Sequence, residues 1–232
     1  MNLLALDTCF DACSVAAGRG LRSLTPSIAF ASEPMATGQA ERLMPMIEMV
    51  MSDAGIGFDK LNRIAVASGP GTFTGARIAV SAARALALVT GAEIVAVTSF
   101  ELMAMNFAVT APAADTLVIA TDARRGEVYF QQFAARALKP LGPPAVSSIE
   151  TAAEALGSGV VVIAGSGAAA VADLARALGR NVQAILPDLV PDAIDMLFAA
   201  SEMPVAATVA PLYLRPPDAK PPAPSHFAGN AA

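Results

Sequence analysis

The sequence predicts an α/β fold with mixed sheets, for two reasons. Apolar runs of strand length alternate with longer segments of helical periodicity, which is typical of layered α/β proteins. The first two strands, at about residues 2–8 and 12–18, follow each other at hairpin spacing, so at least one antiparallel pair joins strands that helices connect. The predicted sheet therefore contains both kinds of pairing.

Strands and helices continue to alternate over the first hundred residues. A third strand at residues 27–33 precedes a helix at residues 39–54, which Gly55 and Gly57 stop. A strand at 63–68, a helix at 74–90 and a strand at 93–97 follow. The glycine-rich segment 69–75 is therefore a turn from a strand into a helix.

A second set of elements begins near residue 106. The predicted elements are a hairpin of residues 116–122 and 127–133, a helix at 151–156, a strand at 160–164, a helix from about 168 to 179 and a last helix at 194–201. No internal repeat is evident. We predict two domains, residues 1–105 and the smaller 106–215, and then a proline-rich tail, residues 216–232, that has little to pack with.

Composition disfavours several classes of function. The net charge of −5 argues against a nucleic-acid binder that acts alone. The mean hydropathy of +0.55 comes largely from alanine, and glycines interrupt the longest uncharged run, so no membrane span is expected. The N-terminus has no basic segment before its apolar residues, which favours a soluble cytoplasmic protein. The few cysteines, Cys9 and Cys13, and a single histidine, His226 in the tail, disfavour disulfides, a metal site or a histidine-based triad.

The loop at residues 69–75 is the most specific local feature. Its glycines would let backbone N–H groups approach a phosphate at the start of a helix, although neither a Walker A nor a dinucleotide spacing is present. A tight turn that packs the helix close to the sheet explains the glycines equally simply. Asp7 and Thr8 present a carboxylate and a hydroxyl at a strand end, as a ligand site or as an ordinary turn cap. Arg124 and Arg125 at a hairpin tip, and Glu101 as a general base, are weaker candidates.

The two helices of the first half carry wider apolar surfaces than one sheet contact needs. In the first helix, methionines extend the apolar arc on both sides of Leu43 and Ile47. In the second, Arg77 and Arg84 share one stripe and nearly everything else is apolar. Such surfaces suit partner helices in an intermolecular bundle, for example in a dimer, but an enclosed core helix explains them as well.

The combined pattern resembles the TsaB (YeaZ) family over most of the chain before the tail. Five motifs in order carry the resemblance: residues 4–8, 41–47, 68–78, 122–129 and 211–215. One departure is Gln39-Ala40, where a His-Ser pair is common; it leaves the helix intact.

The resemblance implies the actin-like, sugar-kinase and Hsp70-type (ASKHA, ribonuclease H-like) fold of two related α/β domains. It also implies a non-catalytic subunit that binds the catalytic relative TsaD and works with the ATPase TsaE. That complex forms threonylcarbamoyladenosine beside the anticodon of tRNAs that read ANN codons. Members of the family pair through the first two helices, with themselves when alone and with TsaD, so the two dimers compete for one surface. Contact with tRNA is expected only through the complex.

The resemblance also assigns residues. It places Met44, Ile47, Met51, Ala79, Ala83 and Leu86 at or near the partner contact, with Arg77 and Arg84 bordering it. The remnant of a nucleotide site, or the edge of a nucleotide pocket at the heterodimer junction, falls at Asp7, Thr8, Gly69, Gly71, Thr72 and Gly75. The histidine metal ligands of TsaD align with Ser99 and Met103, with Glu101 between them. No catalytic residue, metal or cofactor of its own is therefore expected.

Two enzymatic alternatives remain open. An ATP-binding phosphotransferase of the same fold would need phosphate loops and acidic Mg²⁺ ligands, for which Asp7 is the main candidate. A metallopeptidase of the glycoprotease type would need metal ligands, or a nucleophile with a base, that the predicted ordered chain does not offer. A homodimeric binding protein without a connection to tRNA would explain the methionine-rich helix but not the combined motifs.

Overall fold

The computed structural model describes residues 1–108 and 113–215, which form two sheets with helices on their faces. The first sheet has the order β3-β2-β1-β4-β5. Its strands are β1 (Leu3–Asp7), β2 (Ala12–Arg19), β3 (Ser27–Pro34), β4 (Arg63–Ala67) and β5 (Glu93–Val97). β1 pairs antiparallel with β2 and parallel with β4, so the predicted mixed sheet is confirmed.

Helices cover both faces of the first sheet. α1 (Gln39–Ala54) and α2 (Phe73–Thr90) lie on one face, where they share a core with Leu6, Val15 and Ile64. α6 (Ala193–Glu202), from near the end of the described chain, covers the opposite face, packing Met196 and Leu197 against Leu3, Ala5 and Ala16.

The second sheet has the order β11-β10-β6-β7-β8, with β9 also paired to β7. Its strands are β6 (Thr116–Asp122), β7 (Glu127–Ala134), β8 (Lys139–Pro140), β9 (Ala145–Ser148), β10 (Val161–Ala164) and β11 (Val182–Ile185). α4 (Ile149–Glu154) and α5 (Ala168–Ala177) pack on one face. α3 (Ser99–Ala108) covers the other, with Phe100, Met103 and Phe107 against Leu117 and Phe133.

The two sheets repeat one strand order. In each, the first strand pairs antiparallel with the second and parallel with the strand that follows a helix. The sequence shows no such repeat, because strand pairing constrains which residues are apolar and not which apolar residues they are. The duplication becomes visible only in the topology.

The helix α3 and the strands β8, β9 and β11 were not predicted from the sequence, and α3 shows one reason. Its side chains pack into two cores at once, since Leu102 faces the first sheet whereas Phe100 and Met103 face the second. A helix with apolar residues on two faces shows no single apolar stripe at a 3.6-residue period. β8, β9 and β11 have two to four residues and lack a continuous apolar run, whereas the equally short β10 is apolar and buried throughout and was predicted.

The division into domains stays a prediction. The expected boundary after residue 105 falls inside α3, and α6, from the expected second domain, packs on the first sheet. The predicted proline-rich tail, residues 216–232 with His226, lies outside the described residues.

One described helix, α2, is long and apolar enough to cross a membrane by length and composition alone. A single such helix is weak evidence, because core helices of soluble proteins pass the same test. The buried stripe of α2, including Ala79, Val80 and Ala83, packs on the first sheet, and its opposite stripe carries Arg77 and Arg84. This arrangement is that of an amphipathic helix on a sheet.

Candidate functional site

Five residues predicted at the partner contact lie in the chain's own core. Ile47, Met51, Ala79 and Ala83 are at most 1% exposed and Leu86 is 8% exposed, all packed on the first sheet. They cannot meet a partner while the fold is intact, so this part of the prediction is corrected. The physical reason is the width of the buried arc of α1, which the sheet covers as far as Met46 on one side and Met51 on the other.

The exposed stripes of α1 and α2 form what we call the outer helix face. Of the predicted contact residues, Met44, Arg77 and Arg84 belong to it. Four further large apolar side chains, Met49, Phe73, Leu88 and Val89, lie on it outside the predicted set of contact residues, and Leu88 and Val89 are 86% and 78% exposed. The signal was present, because Arg77 and Arg84 mark the centre of the stripe on which Leu88 also lies. Contiguous exposed apolar side chains of this size are typical of interaction sites.

A cluster of side chains orders the start of α2. The guanidinium of Arg77 lies 3.6 Å from the centre of the Phe73 ring, and its Nε donates a hydrogen bond of 2.7 Å to the Tyr213 hydroxyl. The Phe73 and Tyr213 rings are 4.9 Å apart. Tyr213 comes from the segment after α6, in which the Leu212 N–H donates to the Ser68 carbonyl at 2.7 Å. The segment around Tyr213 therefore orders the N-terminal end of α2.

The glycine-rich loop packs against backbone. A Cβ atom on Gly71 would lie 2.1 Å from the Cys9 carbonyl oxygen, and one on Gly75 would lie 1.9 Å from that of Thr8. Gly69 has a φ of 105°, which favours glycine, and its position faces the Leu212 carbonyl. Thr72 caps α2 by accepting from the Gly75 N–H, as the capping pattern requires. These contacts favour the tight-turn interpretation of the loop.

Asp7 and Thr8 are wholly buried. The Thr8 hydroxyl donates to the Gly75 carbonyl at 2.6 Å, and Asp7 Oδ1 accepts from the Cys9 N–H at 3.1 Å. Asp7 Oδ2 has no hydrogen-bond partner among the described residues. Burial raises the pKa of this carboxyl to about 7, and the charge of Asp192 adds to the effect, while hydrogen bonds from Cys9 oppose it. The candidate nucleotide residues are thus brought together, but in this structure they contact one another.

A cleft of about 390 Å³ opens beside this loop, between the two sheets. The first half contributes Phe10, Asp11, Gly71 and Thr72, and the second half Asp122, Ala123, Arg124, Tyr129, Ser166 and Arg215. Arg215 donates to the Ala123 carbonyl and forms an ion pair with Glu127. Arg124 and Arg125 both have positive φ and so form a tight hairpin tip. Of the two, Arg124 lines the cleft.

Glu101 has a structural role. Its carboxylate accepts from the N–H and the hydroxyl of Thr98, and its own N–H donates back to the Thr98 hydroxyl. This is a capping box at the start of α3. Ser99 and Met103, the positions aligned with metal ligands, are fully buried. Within residues 1–108 and 113–215 no group of three or more His, Cys, Asp or Glu could hold a metal ion.

The cysteines are free and buried. Burial raises the pKa of the Cys9 thiol, and it raises that of Cys13 to about 11. Both side chains are therefore protonated thiols at neutral pH and not reactive thiolates.

The fold and the site define a class: an α/β protein of two mixed sheets with one strand order and an exposed apolar helix face. A family model described as "TsaD: tRNA N6-adenosine threonylcarbamoyltransferase" matches residues 33–210. The TsaB protein of Escherichia coli is 31% identical over 93% of this chain and 95% of its own length. That of Haemophilus influenzae is 34% identical over 57% of this chain and 53% of its own.

Solved structures agree with the sequence matches. The structure titled "YeaZ from Pseudomonas aeruginosa" superposes with a TM-score of 0.75 at 29% identity, and covers 92% of this chain and 99% of that one. A second structure from that organism, described as similar to peptidase YEAZ, gives a TM-score of 0.77 with the same identity and coverage. This chain belongs to the TsaB (YeaZ) family.

Proposed function

We propose that this chain is the non-catalytic subunit that binds and activates a TsaD-type transferase in tRNA threonylcarbamoyladenosine biosynthesis. The chain is a member of the TsaB family, whose curated members carry the name of that biosynthesis. In the proposal, threonylcarbamoyl transfer to the adenosine beside the anticodon of ANN-decoding tRNAs also needs the ATPase TsaE. Contact with tRNA occurs through the complex, and the protein works in the cytoplasm.

The outer helix face is the observation that carries the proposal. It leaves Met44, Phe73, Leu88 and Val89 in contact with water, and a partner that covers them gains about 25 cal/mol for each Å² of apolar surface removed. Such a gain is realised only when another chain docks, so the face has a use in an assembly and a cost in a monomer.

The proposed absence of catalysis has separate support. The positions aligned with the TsaD metal ligands hold a serine and a methionine, both buried, and Glu101 is occupied in a capping box. The proposal places a nucleotide of the complex at the junction with the partner, because this chain's own backbone encloses Asp7 and Thr8.

Binding of the TsaD-type subunit of the same organism tests the proposal. Size-exclusion chromatography with light scattering should show a one-to-one complex with the wild type. Met44→Glu combined with Leu88→Glu should weaken binding at least about a hundredfold, because it places unpaired charges in a desolvated contact. Leu141→Glu, at an exposed leucine near the second sheet, is the matched control and should bind normally.

Two results would contradict the proposal. One is a wild type that does not bind the TsaD-type subunit. The other is ATP hydrolysis by the purified chain that is lost in Asp7→Asn, which would favour the phosphotransferase alternative.

A further inference from the structure

Within the described residues, one edge of the first sheet is open. β3 is the outermost strand on that side, and its eight residues pair with β2 in one continuous register. The opposite edge strand, β5, is partly covered by the chain itself, because the Ala206 N–H donates to the Ile94 carbonyl at 2.8 Å. A strand with free backbone groups at a sheet edge is a template for pairing with another strand. β3 is therefore the edge at which the first sheet can be extended.

The hydrogen bonds to β2 show which backbone groups of β3 are free. Met35, directly after β3, donates its N–H to the Asp11 carbonyl at 3.0 Å, and the register of the two strands places these residues opposite each other. Hydrogen-bonded pairs alternate along an antiparallel ladder, so the odd-numbered residues of β3 bond to β2 and the even-numbered ones point their backbone groups outward. Within the described chain, no other strand or loop satisfies the outward groups of Ile28, Phe30 and Ser32.

The side chains of these even-numbered residues lie on the exposed face of the strand. Ile28 and Phe30 are 38% and 59% exposed, whereas Ala29 and Ala31 point to the opposite face and pack into the core beneath α1 and α2. Proteins usually protect an edge strand with charged side chains or a bulge, and residues 27–32 have neither. Phe30, at the centre of the open edge, would therefore gain from a strand that covers it.

The edge reads almost the same in both directions around Phe30. Prolines lie four residues to either side of it, at Pro26 and Pro34, and alanines lie one residue to either side, at Ala29 and Ala31. Prolines have no N–H to donate, so they limit the open edge at both ends. The strand opposite an antiparallel edge runs in the reverse direction, so an edge that is nearly its own reverse matches a second copy of itself.

We propose that β3 pairs antiparallel with β3 of a second copy of this chain, around a two-fold axis at Phe30, and so joins the two first sheets into one. The two Phe30 residues lie opposite each other, and Ile28 lies opposite Ser32 of the second copy. All three opposed pairs exchange backbone hydrogen bonds, because their groups point outward. The two phenylalanine rings project from the same face as a cross-strand aromatic pair.

Electrostatics does not oppose this pairing. Glu33 is the only charged residue of β3, and the Arg42 guanidinium of the same chain binds its carboxylate. In the proposed register Glu33 lies opposite Ser27 of the second copy, so no like charges meet. The exposed side chains of β3 lie on the face of the sheet opposite α1 and α2. The pairing therefore leaves the outer helix face free and does not rest on the proposed function.

Self-association of a variant with a disabled outer helix face tests the pairing. M44E/L88E should still form a dimer by light scattering. Adding F30K should weaken its self-association at least about a hundredfold, because two lysines would then lie opposite each other on the two-fold axis. Adding F198K instead is the matched control: Phe198 on α6 is 56% exposed, and the dimer should persist. Circular dichroism checks that each variant is folded.

Proline substitutions test the backbone bonds separately from the side chains. S32P removes an outward N–H, so in the M44E/L88E background it should abolish the dimer and leave the urea midpoint nearly unchanged. A31P removes an N–H that bonds to β2, and it should lower the urea midpoint clearly. This contrast distinguishes the free side of β3 from its paired side.

Cysteine pairs test the register. In a hydrogen-bonded antiparallel pair the Cα atoms are about 5.5 Å apart, which suits a disulfide. A mixture of I28C and S32C should therefore crosslink on mild oxidation. Neither variant should crosslink with itself, because the two copies of each cysteine would be about 13 Å apart along the strands. The native cysteines are buried and do not compete.

Three results would overturn the inference. The first is an M44E/L88E variant that is monomeric, and the second is a dimer that persists in the F30K or S32P variant. The third is crosslinking of I28C or S32C alone without crosslinking of their mixture. Binding of the TsaD-type subunit by F30K should equal that of the wild type, since the two surfaces are separate.

Discussion

The two halves of the molecule share one strand order, but they differ in how their turns and helices are exposed. In each half, the first strand ends in an aspartate whose Oδ1 accepts from the N–H two residues later, Asp7 from Cys9 and Asp122 from Arg124. In each half, a glycine with a φ of 105° follows the strand that pairs parallel with the first one: Gly69 follows β4, and Gly165 follows β10. Asp7 is buried whereas Asp122 is exposed and lines the cleft. The same turn is therefore enclosed in one half and open in the other.

The helices differ even more between the halves. α1 and α2 have 16 and 18 residues, whereas α4 and α5 have 6 and 10. The longer pair has enough surface to cover a sheet and still present an apolar outer face. A duplicated scaffold can therefore leave apolar surface exposed on one half by lengthening the helices of that half.

The two halves differ most in how closely another stretch of backbone approaches a glycine. Gly75→Ala should lower the free energy of unfolding by more than about 4 kcal/mol, because its Cβ would lie 1.9 Å from the backbone oxygen of Thr8. Gly167→Ala, in the second half, should cost less, about 1–3 kcal/mol, because the nearest backbone atom is 3.3 Å away and only the Val128 side chain, at 2.8 Å, has to shift. Urea unfolding measures both.

Gly142→Ala is the control for these variants, because no atom lies within 4 Å of its Cβ position. Equal losses for Gly75→Ala and Gly167→Ala would show that the first half is no more tightly closed than the second.

The burial of Asp7 should make the stability of the fold depend on pH. The folded-state pKa of Asp7 is about 7 and its ordinary value is 3.8, so the folded state binds more protons between these values and stability falls as pH rises through that window. The loss amounts to about 4 kcal/mol at 1.36 kcal/mol for each pH unit, and it is complete above pH 7.

Urea unfolding from acidic to alkaline pH measures this effect as the difference between the wild type and Asp7→Asn. Asp122→Asn should follow the wild type, because the carboxylate of Asp122 is in contact with water. A wild type and an Asp7→Asn variant with parallel profiles would show that the buried carboxyl does not titrate in this range.

A smaller effect is expected at α6, the helix from the second half of the chain that packs on the first sheet. Arg63 Nη1 donates to the carbonyls of Ala200, Ser201 and Met203 at 3.0–3.1 Å, and so holds the C-terminal end of α6 on the first sheet. Arg63→Ala should cost about 2–3 kcal/mol, because these acceptors lose a charged donor.

Hydrogen exchange should locate that loss in α6 and leave α3 protected. Arg22→Ala is the control: the Arg22 side chain is 58% exposed and also contacts Ser201, and its removal should cost at most about 1 kcal/mol. A loss spread evenly over both sheets would mean that Arg63 stabilises the whole fold instead of this one contact.

Periodicity was sufficient for the regular elements of the fold. The predicted bounds of α1, β5 and β6 agree with the structure, because each has a clear period or apolar run and a glycine or polar residue that ends it. α3 was not predicted, since contact with two cores removes its period. The family was predicted because five motifs occur in order, and the comparisons confirm it.

The candidate site was predicted less well. Met44, Arg77 and Arg84 are exposed on α1 and α2 as expected, but Ile47 and Ala83 proved to be core, and Phe73, Leu88 and Tyr213 lay outside the predicted set of contact residues. A helical period reveals that an apolar arc exists, but the breadth of the neighbouring sheet decides how much of that arc is covered.

The sequence by itself determined most of the regular elements, the family and the stripe of Arg77 and Arg84 on α2, because these depend on residue type and spacing along the chain. The tertiary structure alone decided that Asp7 is enclosed, that the loop glycines face backbone, that Tyr213 reaches Arg77 and that the sheets repeat one order. These features join residues far apart in the chain, and such pairings follow from packing in three dimensions, which local spacing does not encode.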